Sequence, residues 1–297
     1  MNNTMRTRQI PRPAASWVVA AAFLVMMCGA AAPSPLYSVY QQQWGFSAIT
    51  LTTVFAVYVL ALLSSLLTVG ALSDHIGRRP VLFAALIVLA ASMLVFIAAQ
   101  SVAWLVAARV LQGLATGAAT GAFTATIVDL QRHEQRGPLI NSLAPTIGLA
   151  VGALGSGLLV QFAPAPTTLV YVVLAVGYLL SAAMVVAIPE TSPASGFATR
   201  AQLLAALRPS VAVPSTVRTR VATIVPCLIA SWSLGGLYLS LSPSITATVF
   251  GLHNHVVGGA EIATLFGFGA LGAALTRNQK PASVMSRGAW RSPAAAA

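Results

Sequence analysis

Arg78-Arg79-Pro80-Val81-Leu82-Phe83-Ala84-Ala85-Leu86-Ile87-Val88-Leu89 sets two arginines against an unbroken apolar run. A strand facing lipid would alternate apolar and polar side chains over about ten residues. A helix needs about 20 mostly apolar residues to cross the hydrocarbon core, and this run continues to residue 99. It reads as one membrane-crossing helix with a basic start. The same length recurs on both sides of it, giving spans at 16–38, 48–72, 80–99, 103–128, 138–161, 168–188, 221–246 and 258–275. The expected fold is therefore all-α and polytopic.

Composition agrees. Of 297 residues, 57% are apolar and 7% charged, whereas a soluble domain carries about 25% charged residues. Twenty-one charged side chains cannot cover the surface of soluble domains of this length. Disorder is excluded because disordered chains are poor in apolar residues. Two cysteines, Cys28 and Cys227, offer neither a disulfide framework nor a CxxC metal pair.

The net charge of +11 would suit a nucleic-acid partner if it were spread over a soluble surface. It is not. Arg6, Arg8 and Arg12 precede span one, and the other basic groups follow spans two, four, six and eight. The intervening loops have none, and only Arg109 falls within a span. By the positive-inside rule both termini are cytoplasmic. The chain reads as a multi-pass protein of a bacterial inner membrane, with the bilayer as a partner and no nucleic acid.

Short loops join spans one to six, so residues 16–189 form an N-terminal six-helix bundle behind a cytoplasmic segment at 1–15. Residues 190–220, rich in Pro, Ser, Thr and Arg, read as a cytoplasmic linker. Leu203, Leu204 and Leu207 suit either a short helix on the anionic leaflet or a solvated connection. Residues 221–275 make a partial C-terminal bundle of two helices, and 276–297 read as a polar, disordered tail.

Two polar patterns interrupt the spans. After span two comes Gly70-Ala71-Leu72-Ser73-Asp74-His75-Ile76-Gly77-Arg78-Arg79-Pro80-Val81-Leu82. There Gly70 would permit close helix packing and Gly77 a tight turn. Asp74 would accept hydrogen bonds from nearby arginines or helix N-termini. Within span four, at about 100° per residue, Arg109, Gln112, Thr116 and Thr120 form a stripe about 80° wide, and Asp129 falls outside it. Gly113, Gly117 and Gly121 form a neighbouring small-residue ridge. A membrane-embedded arginine normally faces a cavity or a partner group. Arg109 is thus either part of a transport path or glue bonded to the backbone of span one.

These residues resemble the signatures of the major facilitator superfamily. Gly70, Leu72, Asp74, Gly77, Arg78, Arg79 and Leu82 match its pattern between helices two and three, with Ser73 and His75 as departures. Arg109, Gln112 and Gly113 match its R-x-x-Q-G pattern in helix four. Gly148, Gly152 and Gly157 resemble its glycine motif in helix five, with Ala153 in place of proline and Ser156 in place of glycine. Pro189-Glu190-Thr191 has the look of its helix-six ending. The resemblance implies two inverted three-helix repeats and a substrate site near the midplane. It also implies conformational-switch residues at Gly70, Asp74, Gly77, Arg78 and Arg79, and packing at Gly113, Gly117, Gly148, Gly152 and Gly157. Arg109 would hold helix one and serve proton transfer.

The expected function is alternating-access transport of a small organic solute or drug, as efflux driven by an ion gradient, with protons as the coupling ion. The other reading is a truncated or frameshifted fragment that inserts without transport. No enzyme, metal site or cofactor is expected. The pair His253 and His255 lacks a third ligand, and Gly267–Gly272 matches a dinucleotide pattern only inside an apolar span. Asp74, Asp129, Glu134 and Glu190 fall near cytoplasmic ends and Glu261 near the outer end of span eight, none at mid-membrane. Tyr37, Tyr40 and Trp44 read as an interfacial aromatic belt.

Overall fold

Proline has no N–H, so Pro33 and Pro35 leave the carbonyls of Gly29 and Ala31 without their usual helical donors. Span one breaks there. In the computed structural model, which describes residues 10–131, 136–192, 196 and 218–277, α1 runs Arg12–Ala31 and α2 runs Pro33–Trp44. The stretch 39–47, left between the expected spans one and two, is therefore mostly helix. The helix ends at Gly45, whose φ of 64° closes α2 through a bond from its N–H to the Gln41 carbonyl.

The remaining spans follow the apolar runs. They are α3 (Ala48–Val69), α5 (Arg78–Ile97), α6 (Val102–Leu130), α7 (Arg136–Phe162), α8 (Pro166–Val186), α9 (Arg218–Thr248) and α10 (His255–Thr276). Between α3 and α5 lie a 3₁₀ turn, Gly70–Leu72, and the short α4, Ser73–Ile76. Counting α1 and α2 as one crossing, eight helical segments among the described residues are long and apolar enough to span a membrane. Some starts precede the expected limits, because caps and not apolarity fix them. Asn254 caps α10 by accepting from Val256 N at 2.9 Å, so α10 begins at His255 instead of 258. Most of the expected 190–220 linker, with Leu203, Leu204 and Leu207, and the tail beyond Arg277 lie outside the described residues. Residues 1–9 and 132–135 do so as well.

The packing shows an internal exchange. α1 packs on α7 as α6 packs on α3, α5 packs on α6 as α1 packs on α8, and α5 and α8 pack on each other. Swapping spans one to three with spans four to six preserves those pairings, the pattern of two three-helix repeats. After three crossings the second repeat runs in the opposite direction. Apart from the polar stripe on α6 and the polar positions of α2 and α9, the helices are apolar on both their buried and their exposed faces. On α5, Leu82, Leu86, Leu89, Met93 and Phe96 are buried, while Phe83, Ile87 and Leu94 are exposed. Lipid is as apolar as these side chains, so close packing and not hydrophobic burial holds the helices together.

Three contacts gather the basic helix ends on one face. Ile10 N donates to Ala187 O at 3.0 Å, Arg78 N to Glu190 Oε1 at 3.0 Å, and Arg78 pairs with Asp129. From the opposite, uncharged face inward α10 packs along α7, from His255 beside Gly157 to Gly269 beside Thr146, and α9 packs against α10, α2 and α3.

Candidate functional site

Span one is held at its break by side chains from spans four and five. Gln112 Nε2 donates to Gly29 O at 2.7 Å, supplying the donor that Pro33 lacks. Arg109 Nη1 donates to Ala30 O at 3.2 Å and to Gln112 Oε1 at 2.7 Å, and its Nε donates to Tyr37 Oη at 2.7 Å. Ser156 Oγ donates to Ala32 O at 2.6 Å. The guanidinium carbon also lies 4.9, 5.4 and 5.9 Å from the ring centroids of Tyr58, Tyr37 and Phe96, within the range of cation–π attraction.

Arg109 is 0% exposed, and none of the described carboxylates pairs with it. Inserting such a charge costs about 2.5–3.5 kcal/mol. Hydrogen bonds to charged groups are worth about 1.5–3 kcal/mol each, so the three bonds outweigh that cost. Among the described residues Nη2 has no hydrogen-bond partner, which leaves a spare donor in the core.

The predicted stripe divides. Arg109 and Gln112 face span one. Thr116 is buried and donates to Gln112 O, while Thr120, less buried, donates to Thr116 O, both at 2.7 Å. Both hydroxyls thus donate within their own helix, and that of Thr116 also meets the phenol of Tyr58. Tyr37 and Tyr40 are buried rather than placed at the lipid interface. Tyr37 accepts from Arg109, and Tyr40 donates to Tyr171 Oη at 3.4 Å. The aromatic-belt reading fails for both, because α2 turns these rings inward onto α6 and α8.

At the basic face Gly77 has φ 95° and ψ 148°, a conformation strained for any residue with a Cβ. That turn aims the start of α5 at Glu190. The Glu190 carboxylate accepts from Arg78 N at 3.0 Å, Arg79 N at 3.1 Å, Thr191 N at 3.0 Å and Ser192 N at 3.1 Å. Arg78 pairs with Asp129 and stands 3.7 Å from Asp74. Arg79 Nη1 reaches Ile188 O at 3.5 Å. Asp74 thus meets an arginine as expected, but the helix N-terminus is capped by Glu190. Gly70 approaches α6 through its backbone, where a Cβ at Gly121 would lie 3.6 Å from Gly70 O, but its own side-chain position is roomy. A Cβ there would meet only the Leu66 side chain, at 3.9 Å.

The other glycines sit at close approaches. A Cβ at Gly113 would lie 2.5 Å from Tyr58 O, at Gly117 2.9 Å from Leu66 N, at Gly148 2.6 Å from Leu24 O and at Gly157 2.7 Å from His255 O. At Gly152 it would overlap Cys28 O. The sequence reading places Glu190 and Asp129 near cytoplasmic ends but gives neither a partner. The signal for Glu190 was a lone acid closing span six beside a helix whose own N-cap, Gly77, has no side chain.

Removing the Glu190 cap has a defined expected effect. Glu190→Ala leaves four N–H groups without their acceptor and lowers stability by about 2 kcal/mol, the upper range for a lost helix cap. Glu190→Gln keeps an acceptor oxygen and loses less. Thermal unfolding of the purified chain in detergent ranks the two below the unsubstituted chain, and a Glu190→Gln midpoint equal to that of the unsubstituted chain would refute the role of the charge.

The profile of the Major Facilitator Superfamily matches residues 19–292. The chain belongs to the Major Facilitator Superfamily. It is a multi-pass membrane protein of a transporter family and not of an enzyme family. A relative among characterised members is the multidrug resistance protein MdtL of Shewanella oneidensis, 29% identical over 163 residues. That match takes in 54% of this chain and 40% of the relative, so the chain matches less than half of that protein's length. Among solved structures, the human organic anion transporter MFSD10 (TETRAN) has a TM-score of 0.62 at 18% identity, over 91% of this chain and 72% of that one. This superfamily likeness is one of fold.

Proposed function

We propose that the chain exports small organic solutes or drugs by alternating access, driven by an ion gradient with protons as the coupling ion. The observation that carries the reading is the clasp of Arg109 and Gln112 on the broken span one. A proline-interrupted helix held by side chains is where transporters of this construction place their binding sites. The name of the MdtL relative supports drugs as the substrate class. In this reading the basic face is the cytoplasmic face of a bacterial inner membrane. The unit at 16–189 and the pair at 221–275 rock against each other across the α7–α10 contact, and the 190–220 connection links them. Gly70, Asp74, Gly77, Arg78 and Arg79, with Glu190 and Asp129 beside them, act as the switch at the basic face.

The test is movement of lipophilic cationic dyes and neutral aromatic antibiotics in proteoliposomes holding the full chain under an imposed pH gradient. Gradient-dependent flux of at least one compound is expected, and it should vanish when an ionophore collapses the gradient. A flat trace across the panel overturns transport by this chain.

A further inference from the structure

Among the described residues two charged side chains lie more than one helical turn inside the outer part of a span: Arg109, seven residues into α6, and Glu261, six residues into α10, whose start is three residues earlier than expected. At 1.5 Å per residue each stands roughly 10 Å in from the uncharged face. Arg109 is taken up by span one. Glu261, partly buried, is taken up by span seven: its carboxylate accepts hydrogen bonds from Ser242 Oγ and, at 2.6 Å, from Thr246 Oγ1. No cation pairs with it among the described residues. An ionisable group at such depth is costly and marks an ion or substrate pathway.

The groups around it are otherwise neutral or distant. α7 offers Gln161 at this end, with Arg136 at the far one, and Arg277 closes the far end of α10. α9 carries Tyr238, Cys227 and, at its far end, Arg218. On α2 the phenols of Tyr37 and Tyr40 are engaged by Arg109 and Tyr171. His255 lies one and a half turns earlier on α10 with its ring 3.4 Å from Ser38 Oγ, and His253 lies in the preceding loop.

The clasp adjoins the junction between the first six spans and the last two. Ser242 and Thr246 are one turn apart on α9 and flank Pro243, which lies inside an unbroken helix and leaves the Leu239 carbonyl without its usual helical donor. From the next position Ser244 Oγ donates to Gln41 Oε1 at 2.7 Å. Ile262, beside Glu261, packs with Ala31 at the break of span one.

We propose that Glu261 is a proton-binding site clasped by Ser242 and Thr246, and that it is filled from the aqueous phase at the uncharged face. The step is a simple transfer. A hydronium proton bonds to Glu261 Oε2, water is released, and no electrons move. Oε2–H then donates to Ser242 Oγ, whose own hydrogen turns away, while Oε1 keeps the Thr246 bond. Through Ser244–Gln41 and Ser38–His255 the changed tie between α9 and α10 reaches α2, which also carries Tyr37 and its bond to Arg109. This inference rests on the transport reading in naming the coupling ion, but the binding step stands without it.

The experiment is infrared difference spectroscopy of the full chain in lipid, titrated from alkaline to acidic buffer with no substrate present. A protonated carboxyl C=O band that exchanges slowly with deuterated water is expected. It should be lost in Glu261→Gln and retained in Asp74→Asn. Ser242→Ala keeps the acid and is expected to shift both the band and its titration midpoint. Persistence of the band in Glu261→Gln, or no shift in Ser242→Ala, overturns the site. Dye flux in the proteoliposome assay with no such band overturns the site and leaves transport standing. The band without flux supports the site and overturns the transport reading.

Discussion

Arg109→Ala is expected to abolish solute flux and to lower the thermal midpoint of the purified chain, the larger loss being in flux. The substitution removes three donated hydrogen bonds at once, to Tyr37, Gln112 and Ala30. It leaves buried acceptors behind, each costing about 1–3 kcal/mol when unpaired. It also frees α2, since Tyr37 is the point at which α6 grips the outer half of span one. Arg109→Lys separates charge from geometry. An ammonium keeps the positive charge but has no planar fork with which to serve a phenol, an amide and a carbonyl together. Lysine is therefore expected to recover part of the stability and little of the flux. A double-mutant cycle with Tyr37→Phe measures the coupling, expected within the range of about 0.5–3 kcal/mol for groups in one network. Additive effects of the two substitutions would refute the clasp, and full flux in Arg109→Lys would reduce the role of the residue to its charge.

Eight spans were legible because each is a long apolar run, and their arrangement because the arginines mark every second connection. The stripe on α6 was legible from helical periodicity alone. Its partner was not named beyond span one, although the signal was present. Pro33 and Pro35 each leave a carbonyl unpaired four residues earlier, and a polar side chain from another helix is the natural donor in a medium without water. Gln112 fills that role at Gly29. The misreading of Tyr37 and Tyr40 has the opposite cause. An amphipathic ring near a helix end suits the lipid interface equally well, and only the rotation of α2 about its axis decides between them. That rotation is set by contacts across the chain, with Arg109 and Tyr171. Glu190 depends on a partner more than a hundred positions away, which periodicity cannot reach. Asp129 was placed off the stripe correctly, yet its pairing with Arg78 follows from the joining of α5 to α6 and not from any spacing.

Gly152→Val is expected to be the most damaging substitution outside the Arg109 network. The register of α7 on α1 is fixed at three successive turns. Gly148 lies over Leu24, Gly152 over Cys28, and Ser156 donates to Ala32 O. At Gly152 an added Cβ would lie 2.5 Å from Cys28 Cα and 2.7 Å from its carbonyl carbon. All of these are backbone atoms, so no side chain can swing aside and the helices must separate. Overpacking a tight contact costs about 1–3 kcal/mol, and here the separation also stretches the Ser156–Ala32 bond. It would further disturb the neighbouring contact in which a Cβ at Gly259 of α10 would stand 2.6 Å from Ala153 O. Gly155 is the control: on the same helix, a Cβ there meets nothing within 4 Å, so Gly155→Ala should leave the midpoint unchanged or raise it slightly through helix propensity. Thermal unfolding of both variants in one detergent checks the pair. Equal midpoints would mean that α7 does not depend on the close approach of its backbone to α1, and the glycines of span five would then have to be explained without packing.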